Sequence, residues 1–271
     1  MSIRHLHTVL ITLILLGCSS HEELPPPDNP FDPGNPHYVS PTALIVSGPS
    51  EGEVIDTTGV NIAWEGNESA SEYRYKFDSP NWSDWNTATS HTFDYLDEGN
   101  HSFQLQSRSV NGEEQAVATL LNFEVDAVDG PAAIVYPYMQ FGNPGDTLTY
   151  QIIAEEVIDL FAIECIISIN EDYLELIEVL DGELLTQWGG DPLIIQEMTS
   201  ASVSLAMVAV EGTGSPFSGS TSIATLEMII RPSAMTTSVM TAIEIIELKY
   251  LDPSLMAIDG VSVRIGKLSD R

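Results

Sequence analysis

Groups that could perform catalysis are sparse in this sequence. Its six histidines all lie within the first 101 residues, at His5, His7, His21, His37, His91 and His101. A histidine-based triad or a histidine-rich zinc site is therefore excluded from the rest of the chain. No Gly-x-Ser-x-Gly elbow, Walker A loop or Gly-x-Gly-x-x-Gly fingerprint occurs. Carboxylate pairs are uninformative among 40 acidic residues. We predict no enzymatic activity, no catalytic residue, no metal site and no cofactor.

The two cysteines point to anchoring rather than catalysis. Cys18 follows a positively charged start at Arg4 and the apolar run 9–16, which is too short to cross a bilayer and is typical of a secretory signal peptide. Leu15-Leu16-Gly17-Cys18 resembles the bacterial lipobox. That resemblance implies a signal peptide at 1–17, a lipid-modified Cys18 and a lipid-anchored protein of the bacterial cell envelope, at the outer membrane or cell surface.

The remaining thiol, Cys165, lies in the alternating apolar segment 163–169. Its neighbours at every second position are isoleucines, so it would share the buried face of a strand. No histidine or lysine lies near it in sequence to lower its pKa. We expect a buried, inert thiol.

Charge limits the choice of partner. Nine Lys and Arg against 40 Asp and Glu give a formal net charge of −31. Such a surface repels phosphate backbones, which excludes nucleic acid as a partner. A hydrophobic fraction of 43% is nevertheless enough to build cores, and 271 residues allow about two domains.

Beyond Cys18, residues 18–41 are rich in proline and acid and predict an extended tether. Residues 42–127 then alternate between apolar and polar positions, with turn signals such as 98–100 and 111–112 between the alternating runs. Tyr73, Tyr75 and Phe77 share one face, for example, while Arg74 and Lys76 lie between them. Short strands at this spacing indicate a small β-sandwich.

This segment resembles a fibronectin type III-like domain. The resemblance rests on Trp64, the Tyr73-Arg74-Tyr75 strand, Trp85, and the stretches 95–103 and 107–112. It implies that Trp64 and Trp85 belong to the core. Trp82, in the turn 79–83, is the better candidate for an exposed aromatic.

Residues 131–271 predict a second all-β unit. Helix signals are weak, and a change of apolar phase within 243–248 fits a β-bulge. So many strands require two packed sheets or a barrel, and we predict a sandwich of jelly-roll type. The strand candidates are 148–152, 163–169, 203–210, 223–230, 243–248 and 261–265.

The second unit resembles the cohesin domain. The resemblance rests on the order of the segments 144–152, 159–163, 169–176, 179–182, 212–214, 219–228 and 260–263. It departs from the family at Ile169-Asn170, where cohesins commonly have Tyr-Asp, and at Met228, where they often have Phe. The resemblance implies docking of a dockerin-bearing partner, such as a polysaccharide-degrading enzyme, and places Asn170 and Asp172 at the partner face. Solvated turn residues are the alternative interpretation of these two side chains.

The sequence therefore predicts an all-β protein of two β-sandwich domains, the first immunoglobulin- or fibronectin type III-like and the second a cohesin-like jelly roll. Its predicted function is binding and scaffolding. One alternative is a carbohydrate-binding module, for which Trp188 beside Gly189-Gly190 is the candidate exposed aromatic and a polysaccharide the ligand. The other is a structural envelope protein without a dedicated ligand.

Overall fold

The computed structural model describes residues 29, 32, 34–210, 214–232 and 239–269. The expected signal peptide and the lipid site at Cys18 lie outside these residues, and so does Gly212-Thr213 of the cohesin-like pattern. Within the described part of the chain, no helix has the length and apolar character needed to cross a membrane.

Seven strands form the first sandwich, here called the N-terminal block. Strands β1, β3 and β5 pair in one sheet, and β2, β7, β6 and β4 pair in that order in the other. The prediction of a small sandwich is confirmed, while its assignment to the fibronectin type III family remains a prediction. The strands are β1 (Ala43–Ser47), β2 (Glu53–Ile55), β3 (Val60–Gly66), β4 (Glu72–Phe77), β5 (Ser90–Phe93), β6 (Gly99–Arg108) and β7 (Thr119–Val125).

Alternation along the strands builds the core of this block. On β6, Phe103 and Leu105 are fully buried, while Gln104 between them is partly exposed. Trp64 of β3 is buried as predicted, and its ring lies 5.9 Å from that of Phe103. Alternate positions thus build an aromatic-rich core, while the outward positions carry polar side chains together with exposed apolar ones such as Leu44 and Leu120.

Eleven strands and one short helix form the second sandwich, the C-terminal block, among the described residues. One sheet has the order β12-β15-β10-β8-β17 and the other β13-β14-β11-β16-β18-β9. The jelly-roll expectation of two packed sheets is met. The elements are β8 (Ala132–Tyr136), β9 (Met139–Phe141), β10 (Thr147–Leu160), β11 (Ala162–Ile169), β12 (Leu174–Asp181), α1 (Leu184–Trp188), β13 (Leu193–Met198), β14 (Ser202–Val208), β15 (Phe217–Ile230), β16 (Met240–Leu251), β17 (Ser262–Arg264) and β18 (Gly266–Ser269).

The first and last strands of this block close both sheets. Strand β17 pairs in parallel with β8, and β18 pairs in parallel with β9. The beginning and the end of this block therefore lie side by side in both sheets. Between β12 and α1 the backbone passes close to β15. A Cβ atom at Gly182 would lie 2.3 Å from the carbonyl oxygen of Ser222, which explains why the Asp181-Gly182 step needs glycine.

The end of the tether is folded against the N-terminal block. Residues 34–37 form turns, with the amide of Asn35 donating to the carbonyl of Asp32 at 2.8 Å. The Tyr38 hydroxyl donates to the Glu113 carboxylate, and Asn67 Nδ2 donates to the Ser40 carbonyl at 2.8 Å. The expectation of an extended tether as far as residue 41 is therefore wrong for this part, because side-chain hydrogen bonds hold it.

Polar contacts join the two blocks. Glu98, just before β6, pairs with Arg264 of β17, and both side chains are largely buried. Asp97 Oδ1 accepts a hydrogen bond from the Tyr138 amide at 2.5 Å, and the Arg264 guanidinium lies 5.0 Å from the centre of the Tyr138 ring. Loop 95–98 of the N-terminal block is thereby held on the C-terminal block.

Candidate protein-docking face

The outward surface of the six-stranded sheet is open across β13, β14, β11 and β16. Cross-strand register sets its rows of side chains, because every second residue of a strand faces outward. One row contains Ile195, Ala206, Glu164 and Lys249, and the next contains Glu197, Ser204, Ile166 and Glu247. A third row has Ser202, Ser168 and Glu244.

The outward residues of β14 and β11 form the floor of this surface, where small side chains lie beside Glu164 and Ile166 of β11. Ser202, Ser204 and Ala206 face outward on β14, and Ser168 does so on β11. Two shallow depressions follow β11, with volumes of about 250 Å³ and about 180 Å³. We call this groove the trough: its floor comprises the outward residues of β14 and β11.

The flanking strands form the walls of the trough. On β13, Leu193 and Ile195 are 56% and 57% exposed. On β16 the register shifts opposite Ile166 and Ile167, so that Ile246 and Glu247 are both exposed. This shift is the predicted bulge, and it raises the wall on that side.

Charge is unevenly paired on the face. Lys249 Nζ donates to Glu164 Oε2 at 2.7 Å, and this hydrogen bond, helped by the charge of the same carboxylate, raises the pKa of Lys249. Within the described residues, Glu197, Glu244 and Glu247 have no hydrogen bond or salt bridge from their side chains. The face therefore carries excess negative charge.

The structure places Asn170 at the end of the trough and Asp172 beyond it. Asn170 lines the smaller depression together with Ser168, Thr241 and Glu244. Its Nδ2 donates to the Thr241 carbonyl at 3.2 Å, and its Oδ1 accepts from the Asp172 amide at 3.3 Å. Asn170 therefore holds the turn after β11, and Asp172 is an exposed turn residue. Their role in binding stays a prediction.

Trp188 is not on the surface. The sequence predicted an exposed aromatic beside Gly189-Gly190, but the side chain is 1% exposed. Helix α1 turns it into the core, where its Nε1 donates to the Leu160 carbonyl at 2.8 Å. The prediction of exposure is wrong because two glycines mark the end of the helix and not a loop around the indole. A buried ring offers no stacking surface to a sugar.

Trp82 and Trp85 lie outside the core, where they are half-buried and in contact with cationic side chains. The guanidinium of Arg74 is 4.9 Å from the centre of the Trp82 ring and 4.4 Å from that of Trp85. Lys76 lies 4.9 Å from Trp82, and Arg108 lies 4.6 Å from Trp85. Trp85 thus lies outside the core, contrary to expectation, because cation–π contacts hold it against the outer face of β4 and β6. Cations accompany both indoles, which limits their use as an open platform.

Cys165 and His101 are both buried. Burial raises the pKa of the Cys165 thiol to about 12, which agrees with the predicted inert cysteine. His101 is buried, and its Nδ1 lies 2.6 Å from Asp78 Oδ2 while its Nε2 lies 2.9 Å from the Asp97 carbonyl. Among the described residues, no three His, Cys, Asp or Glu side chains are placed to hold a metal ion.

A larger cleft, of about 410 Å³, lies where the two blocks meet. Its lining is dominated by acidic side chains, including Glu124, Asp126 and Glu155, and it contains no histidine, cysteine or lysine. The cleft therefore offers carboxylates and the hydroxyls of Ser220, Thr221 and Ser222, but no imidazole, thiol or amine to activate a hydroxyl. The trough combines an open shape with exposed apolar side chains at Leu193, Ile195 and Ile246.

Among known proteins, similarity to this chain was found in solved structures. The sequence matches no protein-family profile and no curated protein. The cohesin CaCohA2 of Clostridium acetobutylicum is 19% identical, covering 52% of this chain and 96% of its own, with a TM-score of 0.41. The sixth cohesin of scaffoldin B from Acetivibrio cellulolyticus, solved in complex with a Cel5 dockerin, is 14% identical over 53% of this chain and 100% of its own, with a TM-score of 0.42.

A non-cellulosomal cohesin from the archaeon Archaeoglobus fulgidus is also similar. It is 14% identical over 52% of this chain and 90% of its own, with a TM-score of 0.39. About half of the chain is thus similar to solved cohesin domains. The fold assignment rests on the strand order described above.

Proposed function

We propose that this protein is a non-catalytic docking protein of the bacterial cell envelope, whose C-terminal block binds an α-helical protein partner in the trough. The carrying observation is the trough itself, an open groove between β13 and β16 whose floor combines the small residues of β14 with Glu164, Ile166 and Ser168 of β11. The dockerin-like class of partner comes from the sequence resemblance of residues 131–271 to cohesins.

The dimensions of the trough suit a helix. Strand β13 is separated from β16 by three strand spacings of about 4.8 Å, which puts the walls about 14 Å apart. An α-helix with its side chains is about 10–12 Å across. The small outward side chains of β14 let the helix approach that strand closely, and the exposed Leu193 and Ile195 supply apolar contact at one wall.

Binding is tested by capture of secreted proteins from the source bacterium on the immobilised chain. Ala206→Arg fills the floor of the trough and should reduce capture of a trough-bound partner at least about tenfold, equivalent to about 1.4 kcal/mol. Thr225→Arg, on the outward face of β15 in the other sheet, is the matched control and should leave capture unchanged. Equal capture by both variants and the parent chain would refute the trough.

The predicted contacts Asn170 and Asp172 are tested in the same assay. The double variant Asn170→Ala, Asp172→Ala should weaken capture if these residues reach the partner. Because Asn170 also holds the turn after β11, the variant's thermal melt must be measured beside that of the parent chain. Undiminished capture of a dockerin-bearing protein by a folded double variant would show that these two residues are wrongly assigned.

Carbohydrate binding would be measured on a polysaccharide array run in parallel. Trp188 is buried, and the exposed aromatics Tyr136 and Phe141 of the described C-terminal block lie on strands of different sheets. Retention of glycans alone would overturn protein docking in favour of the carbohydrate-binding alternative.

Lipid anchoring at Cys18 is part of the same proposal. It is supported by the Leu15-Leu16-Gly17-Cys18 sequence and by the acidity of the chain, which would repel anionic headgroups without a lipid anchor. Cys18→Ser should move the protein from the membrane fraction to the soluble extracytoplasmic fraction. Continued membrane association of that variant would argue against the anchor.

A further inference from the structure

The two ends of the trough differ in chemistry. At one end, Leu193 and Ile195 of β13 face Val208 and Ala206 of β14. The Glu164–Lys249 pair on the neighbouring strands is neutral as a unit. We call this the apolar end.

The other end of the trough has hydroxyl groups on its floor and carboxylates on its walls. Ser168, Ser202 and Ser204 lie on the floor beside the partly buried Ile166. Glu197 lies on the β13 side, and Glu244 and Glu247 lie on the β16 side together with the exposed Ile246. We call this the carboxylate end.

The carboxylate end is poorly compensated. None of its three glutamates makes a side-chain hydrogen bond or salt bridge within the described residues, whereas Glu164 is paired with Lys249. Glu247 interacts with Lys249 only through longer-range charge, as a minor contribution to the raised pKa of that lysine. A partner that covered these glutamates without a cation would desolvate like charges at a cost, while lysine or arginine would offset it.

Geometry relates the two ends to positions on a docked helix. Leu193 and Glu197 are four residues apart along β13, or about 13 Å at about 3.3 Å per residue, and Glu247 lies in the same cross-strand row as Glu197. A helix rises about 1.5 Å per residue, so about nine residues span this distance. The same helix face recurs after about seven or eight residues.

We infer that the helix docked in the trough carries its apolar anchor at one end and lysine or arginine about two turns away, over Glu197, Glu244 and Glu247. This inference rests on the proposed function and specifies the partner for the same site. It also predicts the direction in which the helix lies, since a reversed helix would place its cations over Leu193 and Ile195.

The test uses a yeast-displayed library of two-helix hairpins in which the outward face of one helix is randomised. The library is selected on the chain from residue 19 onwards, and clones that also bind Ala206→Arg are removed. We expect the remaining clones to be enriched in apolar residues at one end of the helix and in lysine or arginine seven or eight positions away.

Charge-neutral variants then locate the cations. Glu244→Gln combined with Glu247→Gln should weaken the selected hairpins about tenfold at low ionic strength and much less at high salt. Glu65→Gln combined with Glu178→Gln removes the same charge from exposed strand positions outside the trough and is the matched control.

The outcomes separate the two proposals. Trough-dependent clones without a basic end, or clones indifferent to the loss of Glu244 and Glu247, would overturn this inference and leave docking in the trough intact. Failure to obtain any clone that distinguishes Ala206→Arg from the parent chain would overturn both.

Discussion

The ion pair between Glu98 and Arg264 should couple the two blocks energetically. Arg264 is 7% exposed and Glu98 is 12% exposed by side chain, so both charges are largely removed from water. Arg264 Nε and Nη2 have no hydrogen-bond partner within the described structure, which leaves Glu98 as the main compensation for the guanidinium. Removing one partner of such a buried pair costs about 3–5 kcal/mol, because the other charge is left buried.

A double-mutant cycle measures this coupling. Glu98→Leu should lower the free energy of unfolding by about 3–5 kcal/mol. Arg264→Met should cost less than that, because Glu98 still accepts a hydrogen bond from the Ala127 amide at 2.9 Å. The double variant replaces the pair with apolar groups and should lose much less than the sum of the two single variants.

Urea denaturation followed by tryptophan fluorescence is a suitable assay, since Trp64 reports on the N-terminal block and Trp188 on the C-terminal block. Glu124→Gln, at an exposed carboxylate in the cleft between the blocks, is the control and should shift stability by no more than about 0.5 kcal/mol. Additive losses in the double variant would refute the reasoning, because they would mean that the two charges do not compensate each other.

Three further predictions concern buried side chains. Trp188→Ala should destabilise the protein by about 3–5 kcal/mol in chemical denaturation, through the cavity and the lost bond to Leu160, and a loss below about 1 kcal/mol would contradict the burial. For His101, burial lowers the pKa, but hydrogen bonds to Asp78 and the Asp97 carbonyl outweigh it and the net pKa is raised above 6.5. Protonated His101 therefore stabilises the folded state fully below pH 6.5, and this stabilisation is lost as the pH rises through the raised pKa of the folded state. Between these two pKa values the free energy of unfolding should fall with pH in the parent chain and stay constant in His101→Gln. Cys165 should react with a thiol reagent at neutral pH only after urea is added, and rapid labelling of the native protein would contradict its inertness.

Local patterns predicted much of the fold. The predicted strands at 163–169 and 223–230 lie within β11 and β15, and the bulge within 243–248 is present in β16. These predictions succeeded because a strand with one buried face shows an alternation of apolar and polar residues that can be seen in a short stretch of sequence. The inert character of Cys165 followed from the same alternation.

Two short elements, β13 and α1, were not predicted from the sequence. Strand β13 has the exposed apolar residues Leu193 and Ile195 on an edge of the sheet, so its pattern does not show a buried face. Helix α1 has only five residues, too few to show a helical period. Its Trp188 was misplaced for this reason, since the residue that covers and binds it, Leu160, lies 28 positions away.

The sequence by itself determined the alternation that makes the strands, the net charge of −31, and the absence of histidine beyond residue 101. Only the tertiary structure decided that Ser204 and Ala206 form the floor of a groove, with Leu193 and Glu247 on its walls. The physical reason is cross-strand register: alternation sets which side of a strand a residue faces, while pairing with strands distant in the chain sets its neighbours there.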